Sequence, residues 1–279
     1  MDPSKTHEQT DANHPNLLLM IGIGRSGTTL AKRYLAEHPS LLMAEHGTDY
    51  QALGNLIAAA NGRLVVAKRS RYLDDIEAID EMYGAQCWYL FLVRDPRDAF
   101  ASLLDYDGQR RIPRSEAYWD YWRDHYQRMF DHAATHAATG HRFALMRYED
   151  LVADPVGIKA DFFSWLGIES GELTADYSTD VRFARREARG EDPKTHETGQ
   201  VHQKSCGRWR DATDPERVRL LHFYKQDDTV QQLMRALGYE DERVGPPIAK
   251  LHGIRMLASQ AVQHESRQGN QMRVREDGV

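Results

Sequence analysis

Five short apolar runs decide what this chain can fold into. They are Leu17–Ile21, Leu41–Ala44, Leu64–Ala67, Trp88–Val93 and Phe143–Met146, and none alternates with polar residues. A strand that is apolar at every position must be covered on both faces. A parallel sheet sandwiched between helices provides that cover; a sheet with one wet face does not. Amphipathic stretches separate the runs at Thr28–Glu37, Tyr50–Ala60 and Asp74–Tyr83. The alternation predicts an α/β fold with a central, mostly parallel five-stranded sheet flanked by helices. With 279 residues the chain suits one large domain, placed at 16–245. Residues 1–15 read as a disordered arm and 246–279 as a C-terminal helix and polar tail.

Each run is followed by polar or charged residues. The first leads into Gly22-Ile23-Gly24-Arg25-Ser26-Gly27-Thr28-Thr29, the second into Glu45 and His46, and the third into Lys68. Arg94 and Asp95 follow the fourth, and Arg147, Tyr148, Glu149 and Asp150 follow the fifth. Ligands of open parallel sheets bind at the carboxyl ends of the strands. Five such placements predict a polar site along that one rim. The net charge of −6 argues against a whole-surface attraction to nucleic acid or anionic membrane. No apolar run of about 18 residues predicts a membrane span. The N-terminus lacks the apolar region of a secretory signal. Cys87 and Cys206 show no metal or redox spacing and read as reduced thiols of a cytoplasmic protein.

The glycine segment fits a phosphate-cradling loop. It follows a predicted strand and opens a predicted helix, where backbone N–H groups and the helix dipole favour an anion. It departs from the nucleotide-triphosphate loop, because Thr28 stands where that motif has the lysine that reaches the β- and γ-phosphates. Asp95 lies in the cationic setting Arg94-Asp95-Pro96-Arg97 and does not read as a magnesium support. The site is therefore expected to hold phosphate without a divalent metal. A small-molecule kinase using ATP, and a nucleotide-binding module without chemistry, are the competing readings. Within Ser115–Phe130, Tyr118, Trp122 and Tyr126 share a helix face at i, i+4 and i+8. That stripe reads first as core and, alternatively, as an acceptor pocket; acceptor specificity is expected from 115–130 and 183–203. Residues 183–208 read as an irregular lid. Ala212–Leu237 reads as a helix stopped by Gly238.

Gly24-Arg25-Ser26-Gly27-Thr28-Thr29 resembles the 5′-phosphosulfate loop of sulfotransferases that use 3′-phosphoadenosine 5′-phosphosulfate. Arg94 and Ser102, eight residues apart, resemble that family's 3′-phosphate motif. Arg147-Tyr148-Glu149-Asp150-Leu151 is similar to a third family segment, whose tyrosine lies near the adenine, and Gly207-Arg208-Trp209 to its late phosphate-closing loop. The likeness is to the bacterial and tyrosyl-protein branches. It implies the P-loop-like fold of the family, sulfuryl transfer to a small-molecule, glycan or peptide acceptor, and release of adenosine 3′,5′-bisphosphate. It also implies that Arg25 holds the 5′-phosphate and the transferring group, and that Lys68 neutralises the bridging oxygen. The general base falls at Glu45 or His46, with Glu45 preferred. Cytosolic members begin the late loop with Arg-Lys-Gly. This chain has His202-Gln203-Lys204 there, so the basic contact falls to Lys204 or Arg208.

Overall fold

The sheet is laid out by β1 (Leu17–Ile21), β2 (Leu41–Met43), β3 (Leu64–Lys68), β4 (Cys87–Val93) and β5 (Arg142–Arg147), each within a residue or so of an apolar run. These five strands are parallel in the order β2-β3-β1-β4-β5. The computed structural model describes residues 14–35, 37–45, 47–106, 115–136, 142–176, 201, 203, 205–211, 215, 227–239 and 254–256. The chain leaves β1 towards β2 and β3 on one side and places β4 on the other. The order therefore reverses at β1, which puts the crevice of the rim at the loops after β1 and β4.

Side-chain alternation divides the sheet between two cores. Leu17, Leu19, Ile21, Tyr89, Phe91 and Val93 face one; Leu18, Met20, Trp88, Leu90 and Leu92 face the other. Both sets are buried, which is why the strands carry no polar alternation. The first face is covered by α2 (Tyr50–Ala59), α3 (Ile76–Tyr83), α4 (Pro96–Tyr106), α5 (Ser115–His136) and α8 (Asp228–Ala236). The second is covered by α1 (Thr28–Leu35), α6 (Tyr148–Ala153) and α7 (Pro155–Leu166). Helix α7 shows the local rules plainly. Asp154 accepts from the Gly157 N–H at its start, Pro155 occupies the first turn, and Gly167 ends it at φ 69°.

Helix α5 settles the aromatic segment. Tyr118, Trp122, Tyr126, Met129 and Ala133 form one buried stripe, each no more than 3% exposed. Tyr118 packs on Phe100 with ring centroids 4.8 Å apart. Exposing such side chains to an acceptor would forfeit about 1.5–3 kcal/mol apiece. Over the four large side chains that rivals the whole ~5–15 kcal/mol stability of a domain. The stripe of Tyr118, Trp122 and Tyr126 is core, the first of its two expected readings, and these three side chains do not line an open pocket.

Two further differences concern the C-terminal part. Residues 246–279 read as helix and tail, but Ile254–Met256 forms β6, antiparallel to β5. The strand occupies the N–H and C=O row that β5 would otherwise leave at an open edge. The helix expected over Ala212–Leu237 is present as α8, with Gly238 at φ 78° beyond its end; 212–214 and 216–226 lie outside the described residues. So do residues 1–13 and 183–200, covering most of the expected arm and lid. No described helix is long and apolar enough to cross a membrane. Cys87 and Cys206 form no disulfide; burial pushes the Cys206 thiol up to about 12.

Candidate functional site

The loop after β1 is shaped by its glycines. A Cβ on Gly22 would stand 2.4 Å from Ser26 Oγ and 2.7 Å from the Leu92 carbonyl. A Cβ on Gly27 would stand 2.3 Å from the Tyr148 ring, and its φ of 89° is one that side-chain-bearing residues avoid. At Gly24 no atom lies within 4 Å of such a Cβ, so the backbone there is open. Arg25 is held at φ 69°, unusual for a residue with a side chain and a mark of a loop constrained by its surroundings. The Ser26 N–H donates to Ile23 O, closing the turn, and α1 begins at Thr28. Ser26 Oγ is buried with no hydrogen-bond partner. An orphaned hydroxyl of this kind calls for an absent partner, and an oxygen-rich anion in the loop would supply it.

The residues expected at the rim converge on this loop. Arg25 Nε donates to Ser102 Oγ at 3.0 Å. Arg94 donates through Nη1 to the Arg25 carbonyl at 3.0 Å and through Nη2 to the Ser205 carbonyl at 2.5 Å. Its guanidinium carbon lies 4.5 Å from the centre of the Tyr148 ring, and its Nε is buried without a partner. Tyr148 thus fills the space between Gly27 and Arg94. Lys68, at the end of β3, donates from Nζ to Thr29 Oγ1 at 2.5 Å in the first turn of α1. Arg25, Thr29, Lys68, Arg94, Ser102 and Tyr148 are therefore assembled from four strand ends and the adjoining helices. Arg94 and Ser102 were expected to act as a pair on one phosphate. Here Arg94 binds two carbonyls and Ser102 faces Arg25, so the two are linked through Arg25.

The other expected residues are placed less fully. Glu45 follows β2 and is exposed, and its carbonyl accepts from Thr48. Glu45 lies two residues beyond Met43, whose partner Val66 lies two residues before Lys68. His46 and Lys204 lie outside the described residues. Arg208 opens a short 3-10 turn, Arg208–Asp211, beside Gly207 and Trp209.

A second set of groups positions the first, and the sequence reading assigned no role to its acidic members Asp98 and Glu149. Asp98 accepts from the Gly207 N–H at 2.6 Å and the Trp209 N–H at 3.1 Å, pinning the late loop to the start of α4. Burial, followed by the Asp95 charge, raises its carboxyl pKa. The Trp209 ring lies under the Arg97 guanidinium, 4.2 Å from its carbon. Arg97 in turn pairs with buried Asp95 at 2.8 Å, which accounts for Asp95 without any metal-supporting role. Glu149 is fully enclosed. It accepts from the Asp95 N–H at 2.9 Å and the Tyr239 hydroxyl at 2.8 Å. Burial, then the nearby Asp95, pushes its carboxyl up to about 7. Arg147 Nη2 pairs with Asp150 at 2.5 Å. The one signal in the sequence was position: Asp98 and Glu149 each fall in the first turn of a helix that opens from the rim.

The geometry is one of converging cations, hydroxyls and helix-terminal N–H groups, suited to an anionic ligand with more than one acidic group. A family model described as the sulfotransferase family matches residues 43–172. No curated protein matches the sequence. Among solved structures, the sulfotransferase domain of the olefin synthase from Synechococcus PCC 7002 is 22% identical, with a TM-score of 0.55, covering 77% of this chain and 96% of that one. Mouse sulfotransferase SULT7A1, complexed with PAP, is 16% identical with a TM-score of 0.50, covering 79% and 88% respectively. At these identities the two structures speak for the fold.

Proposed function

We propose that this chain, whose residues 43–172 match the sulfotransferase family model, moves a sulfuryl group from 3′-phosphoadenosine 5′-phosphosulfate to a hydroxyl or amine of a small-molecule, glycan or peptide acceptor. The observation that carries this reading is the orphaned, buried Ser26 Oγ inside a loop ringed by Arg25, Lys68 and Arg94. These residues fit an adenosine bisphosphate. Gly24, Arg25, Ser26, Gly27, Thr28 and Thr29 would hold the 5′ end. Arg94, Ser102, Gly207, Arg208 and Trp209, with Lys204, would hold the 3′-phosphate, and Tyr148 would border the adenine. When bound, the donor supplies a sulfuryl group on an activated phosphate oxygen.

The rest of the chemistry falls to the chain. Sulfuryl transfer resembles phosphoryl transfer, where positioning and electrostatic stabilisation dominate. Arg25 and the first N–H groups of α1 place positive charge where negative charge gathers. Lys68, steered by Thr29, offers a proton donor to the leaving oxygen. The transferred group carries less negative charge than a phosphoryl, so fixed cations take the place of magnesium. Glu45 or His46 takes the proton from the acceptor, a contribution of about 10²–10⁴-fold; the register beside Lys68 supports Glu45.

Calorimetric titration with adenosine 3′,5′-bisphosphate tests the donor. Arg25→Ala and Arg94→Ala should each weaken binding by at least ~10-fold, the scale of one charge-assisted hydrogen bond. Unchanged affinity in both variants removes the assignment. Transfer of labelled sulfate to an acceptor panel then tests the base: cofactor binding should survive Glu45→Gln while turnover falls, unless His46→Ala shows that loss instead.

A further inference from the structure

A second polar cluster lies at the opposite end of β4. Asp80 on α3 meets His132 and His136, which stand one turn apart on α5. His132 Nε2 is 2.7 Å from Asp80 Oδ2, and His136 Nδ1 is 3.7 Å from the same oxygen. One donor atom from each residue lies within 4.8 Å of the other two. The other carboxylate oxygen, Asp80 Oδ1, accepts from the Tyr89 hydroxyl of β4. Asp80 and His132 side chains are each 6% exposed, and His136 is 25% exposed.

From this geometry we propose that Asp80, His132 and His136 form a binding site for a divalent transition-metal ion of the zinc type. Two imidazoles and a carboxylate are a donor set that zinc accepts, with a fourth position for water. Zinc–nitrogen and zinc–oxygen bonds of about 2.0–2.2 Å in a tetrahedron set donor atoms ~3.3 Å apart. The separations of 2.7 Å and 3.7 Å straddle that value. A small opening of the Asp80–His132 contact, with departure of the proton it shares, admits the ion. Water reaches the fourth position from the exposed side of His136. The Tyr89 hydroxyl orients the carboxylate from behind, as outer partners of metal ligands do. A simple ion pair would account for His132. His136 brings a second imidazole towards the same oxygen at 3.7 Å, with the two rings 4.2 Å apart, so both imidazoles and the carboxylate face one point.

The site is structural. Tyr89 lies four residue steps before Val93 at the rim, roughly 13 Å at 3.3 Å per residue. The ion would clamp α3 to α5 across the amino end of the sheet and take no part in sulfuryl transfer.

The test uses the untagged full chain, stripped with a chelator and dialysed against zinc. One zinc per chain should bind, and the melting temperature should rise by roughly 5 °C at a hundredfold excess over Kd. His136→Gln, a change at a part-exposed position that leaves the core intact, should weaken zinc at least ~10-fold. It should leave binding of adenosine 3′,5′-bisphosphate unaltered. Asp80→Asn should weaken zinc to a similar degree. Two results overturn the proposal: wild-type chain that binds no zinc at ~100 µM, or zinc affinity and stoichiometry unchanged in His136→Gln.

Discussion

The loop after β1 and the segment after β4 reach the same rim by different means. The first is built from backbone. Its shape depends on glycines at 22 and 27, a positive φ at Arg25 and the opening turn of α1. The second is built from charge. Asp95 is paired with Arg97, Asp98 holds two N–H groups of the late loop, and Glu149 holds the Asp95 N–H. A backbone-built loop is intolerant of added atoms and indifferent to pH. A charge-built segment accepts isosteric changes and responds to protons. The two halves of one site thus have different weaknesses, and substitutions can expose each separately.

The largest effect is expected at Gly27. Gly27→Ala drives a methyl into the Tyr148 ring and forces alanine to φ 89°. Overpacking and backbone strain each cost about 1–3 kcal/mol. Denaturant unfolding should show a loss of several kcal/mol, with affinity for adenosine 3′,5′-bisphosphate falling at least ~10-fold. Gly27→Ala with wild-type stability would break the backbone half of the comparison. Next comes Asp98→Ala, which strands the Gly207 and Trp209 N–H groups at a cost of about 1–3 kcal/mol. Amide exchange at those two positions should accelerate and nucleotide affinity should fall, while exchange in β1 and β4 stays put. Equal acceleration across the sheet would mean that Asp98 supports the whole fold.

The third prediction is a pH effect. Glu149 in the folded chain titrates near 7, well above its ordinary value of 4.5. Between these values the folded state keeps a proton that the unfolded state has lost. Stability therefore falls as pH rises through that window, and the penalty is complete above pH 7. Glu149→Gln mimics the protonated form. Its stability should match wild type below about pH 4.5 and exceed it above pH 7, by up to about 3 kcal/mol. Parallel stability–pH curves for the two proteins would remove the burial penalty. The smallest effect is a control: Gly24→Ala has open space around the new methyl and should change stability by less than about 1 kcal/mol. A large loss there would mean the loop rejects any Cβ, not only those that clash.

Much of the fold was legible because burial on both faces leaves an unbroken apolar run. The five parallel strands follow from that alone, and the polar residues behind them follow from the strand ends. Lys68 illustrates how far this reaches, since its position after a run sufficed to bring it to the rim. The roles of Asp98 and Glu149 were not legible. An acidic residue in a first helical turn is favoured by the helix dipole wherever it occurs, so its presence carries no news of the N–H groups it will meet. The aromatic stripe of α5 was ambiguous for a related reason: periodicity shows which residues share a face, not what covers it. The Asp80–His132 contact spans 52 residues and depends on how α3 packs against α5. Strand β6 is three residues long and gains its identity from the β5 edge.

Arg94 ties together the carbonyls of Arg25 and Ser205, residues 69 positions before it and 111 positions after it. Closing loops of that length is entropically expensive and slow compared with forming neighbouring helices and strands. The pairing of β1 with β4 already closes 70 residues, so during refolding it is the Ser205 contact, 111 positions on, that is expected to close last. Recovery of ligand binding should lag behind recovery of secondary structure, which makes binding the stricter clock of a finished molecule.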